Sequence, residues 1–366
     1  MNLVNCDIYR FLEVVKNKCL VCFGAGKALS RVADIYADLH FEEYIDYIVD
    51  NDKNKVGKIK KLIYKEIPII DIDIMKKIKN KVIMITCADV YEVFCQLDGY
   101  LELDNVDCFV RDYVISATNI VDDEKRYYPK SYRITNQPVI PKKLHYCWFG
   151  GKPIPDKNLR WMESWKKYCP DYEIFRWDEN NYDVTKNKYM YDAYKAKNWG
   201  IVPDYARLDI IYQYGGIYLD TDVELVSSMD ELLYEYSFAG VTGNRMIGLG
   251  LGFGAVQGLQ IIRELREIYN GVEYIKEEGA FNPADASTIQ KKFFDEKGYN
   301  SNGEYQIIDN MTIYPEKVLC AKCFYTDRIL PTNHTIAIHH FDASWRADKM
   351  RMKQEIELFY EKCKEL

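Results

Sequence analysis

The first third of the chain alternates short apolar runs with stretches of helical spacing. The apolar runs cover residues 19–23, 44–49, 67–70, 81–86 and 108–110, and the helical stretches cover 27–39, 89–101 and the residues after 72. Strands separated by helices need crossover connections, which are typical of a parallel sheet. The pattern therefore predicts an α/β fold that begins with a Rossmann-like parallel-sheet domain over residues 1–135.

A glycine turn follows the first of these predicted strands. Gly24 and Gly26 lie in FGAGK, and Asp50 ends the second strand, where an acidic residue would hold a ribose in a dinucleotide site. Leu29 stands at the third glycine position, where a side chain impedes close packing of the helix on the strand. A tight structural turn, a nucleotide site and docking of another subunit all stay open for this domain.

A charged, proline-containing segment separates this domain from the rest of the chain. Residues 122–126 are DDEKR, and three prolines follow in YYPKSYRITNQPVIPKK. This composition predicts a linker near residues 120–138 and a second domain over residues 136–366. The second domain begins with a predicted strand at 143–149 that runs into a glycine pair, where backbone can approach a ligand closely.

The most informative stretch of the second domain is a helix followed by a double glycine. Pro203 suits a first helical turn, and apolar spacing continues to Tyr214 before the glycines at 215–216. Asp204 and Arg207 are then neighbours on one helix face. The carboxylate can accept bonds from sugar hydroxyls, and the guanidinium offers a planar donor fork to phosphate or sugar oxygens. In the plainer interpretation, Asp204 only favours the helix N-terminus and pairs with Arg207.

Two acidic residues follow directly after these glycines. The apolar run 217–219 ends in Asp220-Thr221-Asp222. Residues two apart in an extended strand share a face, so we expect the two carboxylates to lie together. Hard cations such as Mg²⁺ and Mn²⁺ take oxygen ligands and leave positions for a diphosphate. The sequence thus predicts a metal site at Asp220 and Asp222, with a solvated strand end as the alternative.

Composition and charge narrow the classes of function. The net charge of −7 argues against a nucleic-acid-binding protein, whose domain is usually strongly basic. We expect no signal peptide, and no apolar run approaches the roughly 18 residues that span a bilayer. Eleven scattered cysteines fit reduced thiols in the cytoplasm. The basic start of the helix predicted over 346–366 leaves peripheral contact with the inner face of the membrane as an alternative to a solvated face.

The helix and acidic strand together resemble the core of the DxD-containing sugar transferases of glycosyltransferase family 32, the capsular polysaccharide type. They are also similar to the catalytic domain of the large clostridial toxin glucosyltransferases. In those families a helix bearing Asp-x-x-Arg precedes a GG[IM]YLDxD strand, and the matching residues are Asp204, Arg207, Gly215, Gly216, Tyr218, Leu219, Asp220 and Asp222. The resemblance covers about residues 140–345 and implies a nucleotide-sugar transferase domain of the GT-A type.

The resemblance extends to the opening strand of this domain. The segment IPKxLHxxWFGG resembles a family strand whose tryptophan stacks on the nucleobase of the donor. An ordinary core position is the alternative for that tryptophan. The donor contacts that the resemblance implies are Trp148, Phe149, Gly150, Tyr218, Asp204 and Arg207.

The closing segment resembles the HHxxxSW element of the family, which commonly supplies a third metal ligand. Carried over, Ser344 and Trp345 would contact the donor diphosphate. Adjacent strand residues face opposite ways, so only one of the two histidines can join Asp222. We predict His340, because it is nearer to the end of the strand.

These residues imply a metal-dependent, retaining glycosyltransferase of the hexosyltransferase kind. The predicted donor is a nucleoside diphosphate sugar, with UDP preferred, and the predicted acceptor is a saccharide, lipid-linked, in bacterial surface or capsular polysaccharide synthesis. The cofactor is Mn²⁺ or Mg²⁺. The predicted catalytic residues are Asp204, Arg207, Asp220 and Asp222. The alternatives are a protein-modifying glucosyltransferase, an oxidoreductase that uses the N-terminal glycine turn, and a non-catalytic sugar-binding protein.

Overall fold

The structure of the chain, a computed structural model, describes residues 1–87, 89–274, 286–324, 326–342 and 360–366. These residues form two compact units. The first unit comprises Met1–Arg126 with residues 326–327 and 360–366. The second comprises the described residues from 127 to 324 and from 328 to 342.

The first unit is built on a mainly parallel sheet. Its strands are β1 (Asn2–Asn5), β2 (Cys19–Phe23), β3 (Ile45–Val49), β4 (Ile59–Lys61), β5 (Glu66–Ile70), β6 (Lys81–Ile85) and β7 (Asp107–Val110). Its helices are α1 (Ile8–Val15), α2 (Lys27–Ile35), α3 (Ile72–Lys77), α4 (Val90–Asp98) and α5 (Arg111–Asp123). The sheet order is β1-β7-β6-β2-β3-β5-β4, and only the β4–β5 pair within it is antiparallel.

Strand β2 shows why apolar runs predict this sheet. Leu20 and Cys22 pack into the apolar cluster on one face, whereas Val21 and Phe23 pack into the cluster on the other face. A strand that is buried on both faces is apolar at every position, as parallel strands between helices usually are. The predicted α/β class is therefore confirmed. Strands β1 and β4 and helix α5 were not predicted, and α5 includes charged residues assigned to the linker.

The second unit contains a mixed sheet flanked by helices. Its strands are β8 (Lys143–Cys147), β9 (Glu173–Trp177), β10 (Gly216–Tyr218), β11 (Val223–Leu225), β12 (Ser237–Val241), β13 (Ile247–Ala255), β14 (Gln306–Ile308), β15 (Met311–Tyr314) and β16 (Ala337–His339). Its helices are α6 (Asp156–Tyr168), α7 (Lys188–Lys195), α8 (Val202–Tyr214), α9 (Gln260–Ile268), α10 (Ala286–Glu296) and α11 (Glu316–Leu319).

The main sheet of this unit has the order β14-β15-β12-β13-β10-β8-β9, and β11 pairs separately with β16. Strand β8 is parallel to both neighbours, so the carboxyl ends of β8, β9 and β10 lie at one edge. Ile217 and Leu219 pack into the core on one face of the sheet, and Tyr218 packs into the core on the other. The site residues that follow β8 and β10 are thus supported from both faces.

The end of the chain returns to the first unit. The last strand, β17 (Lys364–Glu365), pairs in parallel with β1. The helix predicted over 346–366 lies mostly outside the described residues, and its final residues form this strand instead. Among the described helices, none has the length and apolar character needed to cross a bilayer.

Candidate functional site

Helix α8 is buried along almost its whole length, and Asp204 and Arg207 are two of its three buried charged residues. Pro203 lies in its first turn, and Gly215 ends it with a φ of 62°. Asp204 and Arg207 are both buried, and Arg207 Nη2 lies 3.3 Å from Asp204 Oδ1. Arg207 Nε also donates to the carbonyl of Pro203 at 3.1 Å. The predicted pairing on one helix face is confirmed, and the backbone bond fixes the direction of the guanidinium.

The two acidic residues are brought together by a turn and not by strand alternation. Strand β10 ends at Tyr218, and the Val223 N–H donates to the Asp220 carbonyl at 3.1 Å. This tight turn, from Asp220 to Val223, connects β10 to β11. The prediction that Asp220 and Asp222 share one face of a strand is therefore wrong in its cause. The expected proximity of the two carboxylates is nevertheless found.

A histidine completes a three-residue cluster with the acids. Asp220, Asp222 and His339 each offer one ligand atom, and these atoms all lie within 4.8 Å of one another. His339 Nε2 lies 3.3 Å from Asp222 Oδ1. Two carboxylates and one imidazole form a donor set that suits Mn²⁺, and the carboxylates alone suit Mg²⁺. The residues present therefore fit a divalent cation.

Burial and mutual charge shift the titration of these groups. Burial and the neighbouring Asp222 raise the pKa of Asp220, although Arg207 opposes them. Burial also disfavours the ionised form of Asp222, but the facing His339 holds the pKa of Asp222 below its ordinary value. Likewise, burial opposes the charged form of His339, yet Asp222 raises the pKa of His339. The cluster is an acidic site whose charge is only partly balanced by protein groups.

The structure places His339 beside the two acids, and not His340, which was predicted as the third ligand. In the antiparallel β11–β16 pair, Glu224 lies opposite Ile338, so Ile338 and the residue two further on share the face of Glu224. Accordingly, His340 Nε2 lies 2.8 Å from Glu224 Oε2, and its ring stacks on Trp161 at 4.2 Å. The neighbouring His339 points to the opposite side, where the Asp220 and Asp222 carboxylates lie.

The Asp220 side chain is held by residues of helix α8 and strand β10. Arg207 Nη2 of α8 lies 3.4 Å from its Oδ1, and the Tyr218 hydroxyl donates to the same oxygen at 3.1 Å. Burial disfavours the charged guanidinium, but Asp220, Tyr218 and Asp204 raise the pKa of Arg207 above its ordinary value. Arg207 therefore stays charged and positions the first carboxylate of the pair.

Glycine in β13 makes room for this carboxylate. A Cβ added at Gly250 would lie 2.3 Å from Asp220 Oδ2 and 3.1 Å from Arg207 Nη1. Gly250 also accepts a hydrogen bond from the Asp220 N–H at 3.4 Å. Glycines at 248, 250, 252 and 254 alternate along β13, but the contact between Gly250 and Asp220 was not predicted. The signal was present, because an extended run of glycines permits close approach of other groups.

The residues after β8 lie at the same sheet edge as Asp220. Trp148 is half-buried, and its indole N–H donates to the Lys152 carbonyl at 2.6 Å. Phe149 is buried and packs against Tyr182 with ring centroids 6.3 Å apart. Gly150 has a φ of 92°, and an added Cβ would lie 2.6 Å from the Trp199 ring. A role for these residues in binding a donor stays a prediction.

Two predicted diphosphate contacts, Ser344 and Trp345, lie outside the described residues. Asp342, which also contacts the site, was not predicted from the sequence. The Asp342 N–H donates to Asp222 Oδ2 at 2.7 Å, and the Asp342 side chain pairs with Lys157 of α6 at 2.5 Å. A backbone donor has no sequence signature, so this support for Asp222 could not be predicted.

Part of the site described above falls within a known family region. Residues 155–239, from α6 into β12, match the family model described as glycosyltransferase sugar-binding region containing DXD motif. This span contains Asp204, Arg207, Asp220 and Asp222. The predicted relation to DXD glycosyltransferases is confirmed at this level, and the chain carries a glycosyltransferase region. The capsular and toxin-like specifics of the resemblance stay predictions.

Curated relatives and a solved structure are also similar to parts of the chain. Inositol phosphoceramide mannosyltransferase 3 of Schizosaccharomyces pombe is 34% identical over 137 residues, which are 35% of this chain and 37% of that protein. Subversion of eukaryotic traffic protein A of Legionella pneumophila is 26% identical over 122 residues, 26% of this chain and 19% of that protein. The match thus spans well under half the length of these relatives. The PaToxG glycosyltransferase structure superposes with a TM-score of 0.34 at 17% identity, covering 51% of this chain and 79% of that one.

Proposed function

We propose that this protein is a divalent-cation-dependent, retaining glycosyltransferase that uses a nucleoside diphosphate sugar as donor. One observation carries the proposal: Asp220, Asp222 and His339 form a single cluster within and beside the region that matches DXD glycosyltransferases. Mn²⁺ or Mg²⁺ held by these three residues would supply Lewis-acid neutralisation of the diphosphate leaving group. Glycosidases instead place two carboxylates on either side of the scissile bond.

The remaining site residues orient the groups that react. Arg207 is buried between Asp204 and Asp220, so its first task is to hold the Asp220 carboxylate in place. A carboxylate is acceptor-only when it is ionised, so Asp204 is suited to hold hydroxyls of the donor sugar. Trp148 offers a half-buried aromatic face at the same sheet edge for the nucleobase. In the reaction, the bond from the sugar C1 to the diphosphate breaks, a bond from C1 to the acceptor oxygen forms on the same face, and the proton of the acceptor hydroxyl passes to the departing diphosphate.

The proposed classes of donor and acceptor are inferred from the similarity of this chain to known proteins. The resemblance to family 32 supports a UDP-sugar and a role in bacterial surface polysaccharide synthesis. The name of the yeast relative, an inositol phosphoceramide mannosyltransferase, supports an acceptor that carries a lipid and adds mannose to the sugars to be tested. We therefore propose a lipid-linked saccharide as the acceptor.

A donor screen tests the proposed activity. The protein with Mn²⁺ is incubated with UDP-glucose, UDP-galactose, UDP-N-acetylglucosamine and GDP-mannose, and release of nucleoside diphosphate is measured. We expect turnover of one nucleotide class, and we expect Asp204→Asn and Asp222→Asn to lower it by about 10²–10³-fold. The matched control is Asp171→Asn, an exposed acid that pairs with Lys142.

A measurement of nucleotide binding tests the proposal if hydrolysis of the donor is too slow to detect. Calorimetric titration with UDP and GDP in the presence of Mn²⁺ should show saturable binding of one of them, lost in Asp222→Asn. A protein that unfolds cooperatively but neither binds nor turns over any of these nucleotides is not a transferase of this kind.

A further inference from the structure

The β4–β5 hairpin lies at the edge of the sheet in the first unit. Strand β4 has β5 on one side and ends the strand order on the other. The Leu62 N–H donates to the Lys65 carbonyl at 2.9 Å across the turn, which leaves Ile63 and Tyr64 at the tip. Turn tips usually hold Gly, Asn, Asp or Ser, because these residues suit the backbone of a turn. An aliphatic and an aromatic residue at this position therefore need another explanation.

Three apolar side chains of this hairpin face solvent. Ile59 is 60% exposed, Ile63 is 49% exposed and Tyr64 is 61% exposed. By contrast, Leu62 of the same turn packs against the core of the unit. Folding of the unit thus uses Leu62 and leaves the two tip residues exposed. Adjacent exposed apolar side chains on a protruding element mark a site of interaction more often than scattered ones do.

The tip is held in a fixed position by the protein. Glu42, which is 2% exposed in the short 3₁₀ helix Phe41–Tyr44, accepts the N–H groups of both Ile63, at 3.1 Å, and Tyr64. Lys65 Nζ donates to the Glu43 carbonyl at 2.7 Å. A buried carboxylate that holds both tip amides keeps the two apolar side chains presented together, which lowers the entropic cost of binding.

Lysines lie along the hairpin and in the segment that precedes it. Residues 52–66 contain six lysines and two acids, although the chain as a whole has a net charge of −7. Lys61 pairs with Glu66, and Lys55 pairs with Asp50. Lys58 and Lys60 form no ion pair with any part of the chain that the structure describes. The hairpin is therefore a basic, apolar-tipped surface on an acidic protein.

We propose that this hairpin is a membrane-contact element that binds the surface of a bilayer containing anionic lipid. The order of groups fits such a surface, because Ile63 and Tyr64 would enter the interface while the lysines behind them meet anionic headgroups. Tyrosine suits the interface because its ring is apolar and its hydroxyl is polar. Each lysine near an anionic membrane surface adds to the attraction, and each buried apolar group adds a second, salt-independent contribution.

Vesicle sedimentation tests the proposal with the full chain. Vesicles of phosphatidylcholine alone are compared with vesicles of equal parts phosphatidylcholine and phosphatidylglycerol. We expect binding to the anionic vesicles that weakens as salt is raised. The double variant Ile63→Ser/Tyr64→Ser should weaken binding by about tenfold or more, and so should Lys58→Glu/Lys60→Glu.

Matched controls separate the hairpin from general surface effects. Leu101→Ser removes an apolar side chain that is 83% exposed but lies next to acidic residues of the same unit. Lys166→Glu/Lys167→Glu reverses two exposed charges on α6. Both controls should bind anionic vesicles as the unaltered protein does. The thermal unfolding midpoint of every variant should also stay unchanged, which shows that the first unit is intact.

Three outcomes would overturn the proposal. The first is that the unaltered protein does not sediment with anionic vesicles. The second is that the hairpin variants bind as well as the controls. The third is that Ile63→Ser/Tyr64→Ser converts a dimer to a monomer in sedimentation velocity, which would assign the tip to a second copy of the chain. Release of nucleoside diphosphate in solution should be the same in the hairpin variants, so this test does not depend on the proposed activity.

Discussion

At the scale of single residues, the site depends on which of two adjacent histidines faces the acids. Sequence reasoning recognised that only one of them could do so, from the alternation of side chains in a strand. The sequence favours His340, because that residue is nearer to the end of the predicted strand. The choice depends on the register between β11 and β16, and register is set by pairing that the sequence of one strand does not reveal.

Separate substitutions of the two histidines test this assignment. We expect His339→Ala to weaken Mn²⁺ binding by at least about 10–100-fold, which is the loss of affinity caused by removing an outer-shell partner. His340→Ala should leave Mn²⁺ binding nearly unchanged, because its imidazole faces Glu224 and Trp161. Titration calorimetry of both variants gives the two dissociation constants. The reverse order of effects would return the ligand role to His340.

Gly250 offers a second test at the residue scale. We expect Gly250→Ala to lower kcat/KM by about a hundredfold, because the added Cβ would displace the Asp220 carboxylate from its position. The free energy of unfolding should change little, since the Asp220 side chain is partly exposed and can move. Steady-state kinetics and urea unfolding measure the two effects.

The control for that substitution is Gly271→Ala, where an added Cβ would have no neighbour within 4 Å. Equal activity of the two alanine variants would show that Asp220 needs no space at Gly250.

At the scale of elements, strand β8 joins the core to the site and contains a buried histidine. His145 is 1% exposed. Its Nε2 lies 3.0 Å from the Gly215 carbonyl, and its Nδ1 accepts from the Trp177 indole at 3.1 Å. The two partners require the neutral ring with the proton on Nε2. Burial lowers the pKa of His145 to about 4.

This buried histidine makes stability depend on pH in a definite direction. In the unfolded chain a histidine titrates near an ordinary pKa of ~6.5. The stabilisation is therefore fully present above that value and is lost as the pH falls toward 4, the folded pKa. We expect the free energy of unfolding to fall by about 2 kcal/mol between pH 7 and pH 5 from this group alone.

Urea unfolding at both pH values measures the effect. His145→Gln keeps a donor for the Gly215 carbonyl but does not titrate, so its unfolding free energy should change less over the same range. An equal change in the two proteins would mean that His145 is protonated in the folded state.

Most helices and strands could be predicted because the sequence features that specify them are local. Strands buried on both faces, such as Cys19–Phe23 and Lys81–Ile85, are apolar throughout, and α8 is bounded by Pro203 and Gly215. Short strands that form by pairing with other segments of the chain were not predicted, and these include β1, β4 and β17. The paired acids were found, but their turn was not, because a tight turn and a strand end have similar sequences here.

At the scale of the whole molecule, the first unit bears on the oxidoreductase alternative. Asp50 Oδ2 accepts the Ala25 N–H of the glycine turn at 2.8 Å and pairs with Lys55 at 3.0 Å. Leu29, at the third glycine position, is fully buried in the core. The acid that would hold a ribose is thus engaged within the protein, which favours the structural interpretation of the turn. The roles of the two predicted domains, 1–135 and 136–366, stay predictions.

A ligand titration tests that interpretation on the full chain. We expect NAD(H) and NADP(H) to leave the thermal unfolding midpoint unchanged, because the turn amide is already satisfied by Asp50. In the same experiment, a nucleoside diphosphate with Mn²⁺ should raise the midpoint. At one hundred times its dissociation constant, the ligand stabilises the folded protein by about 2.7 kcal/mol. Saturable stabilisation by a dinucleotide would instead support a nucleotide site in the first unit.

The most direct test concerns the cation and the sugar donor together. The protein is freed of metal with a chelator, and release of nucleoside diphosphate from its preferred donor is measured before and after addition of Mn²⁺. We expect release to stop without the ion and to return with it, whereas Asp222→Asn should stay inactive under both conditions. Turnover that is insensitive to the chelator, or full activity of Asp222→Asn, would contradict a metal-dependent transferase at this cluster.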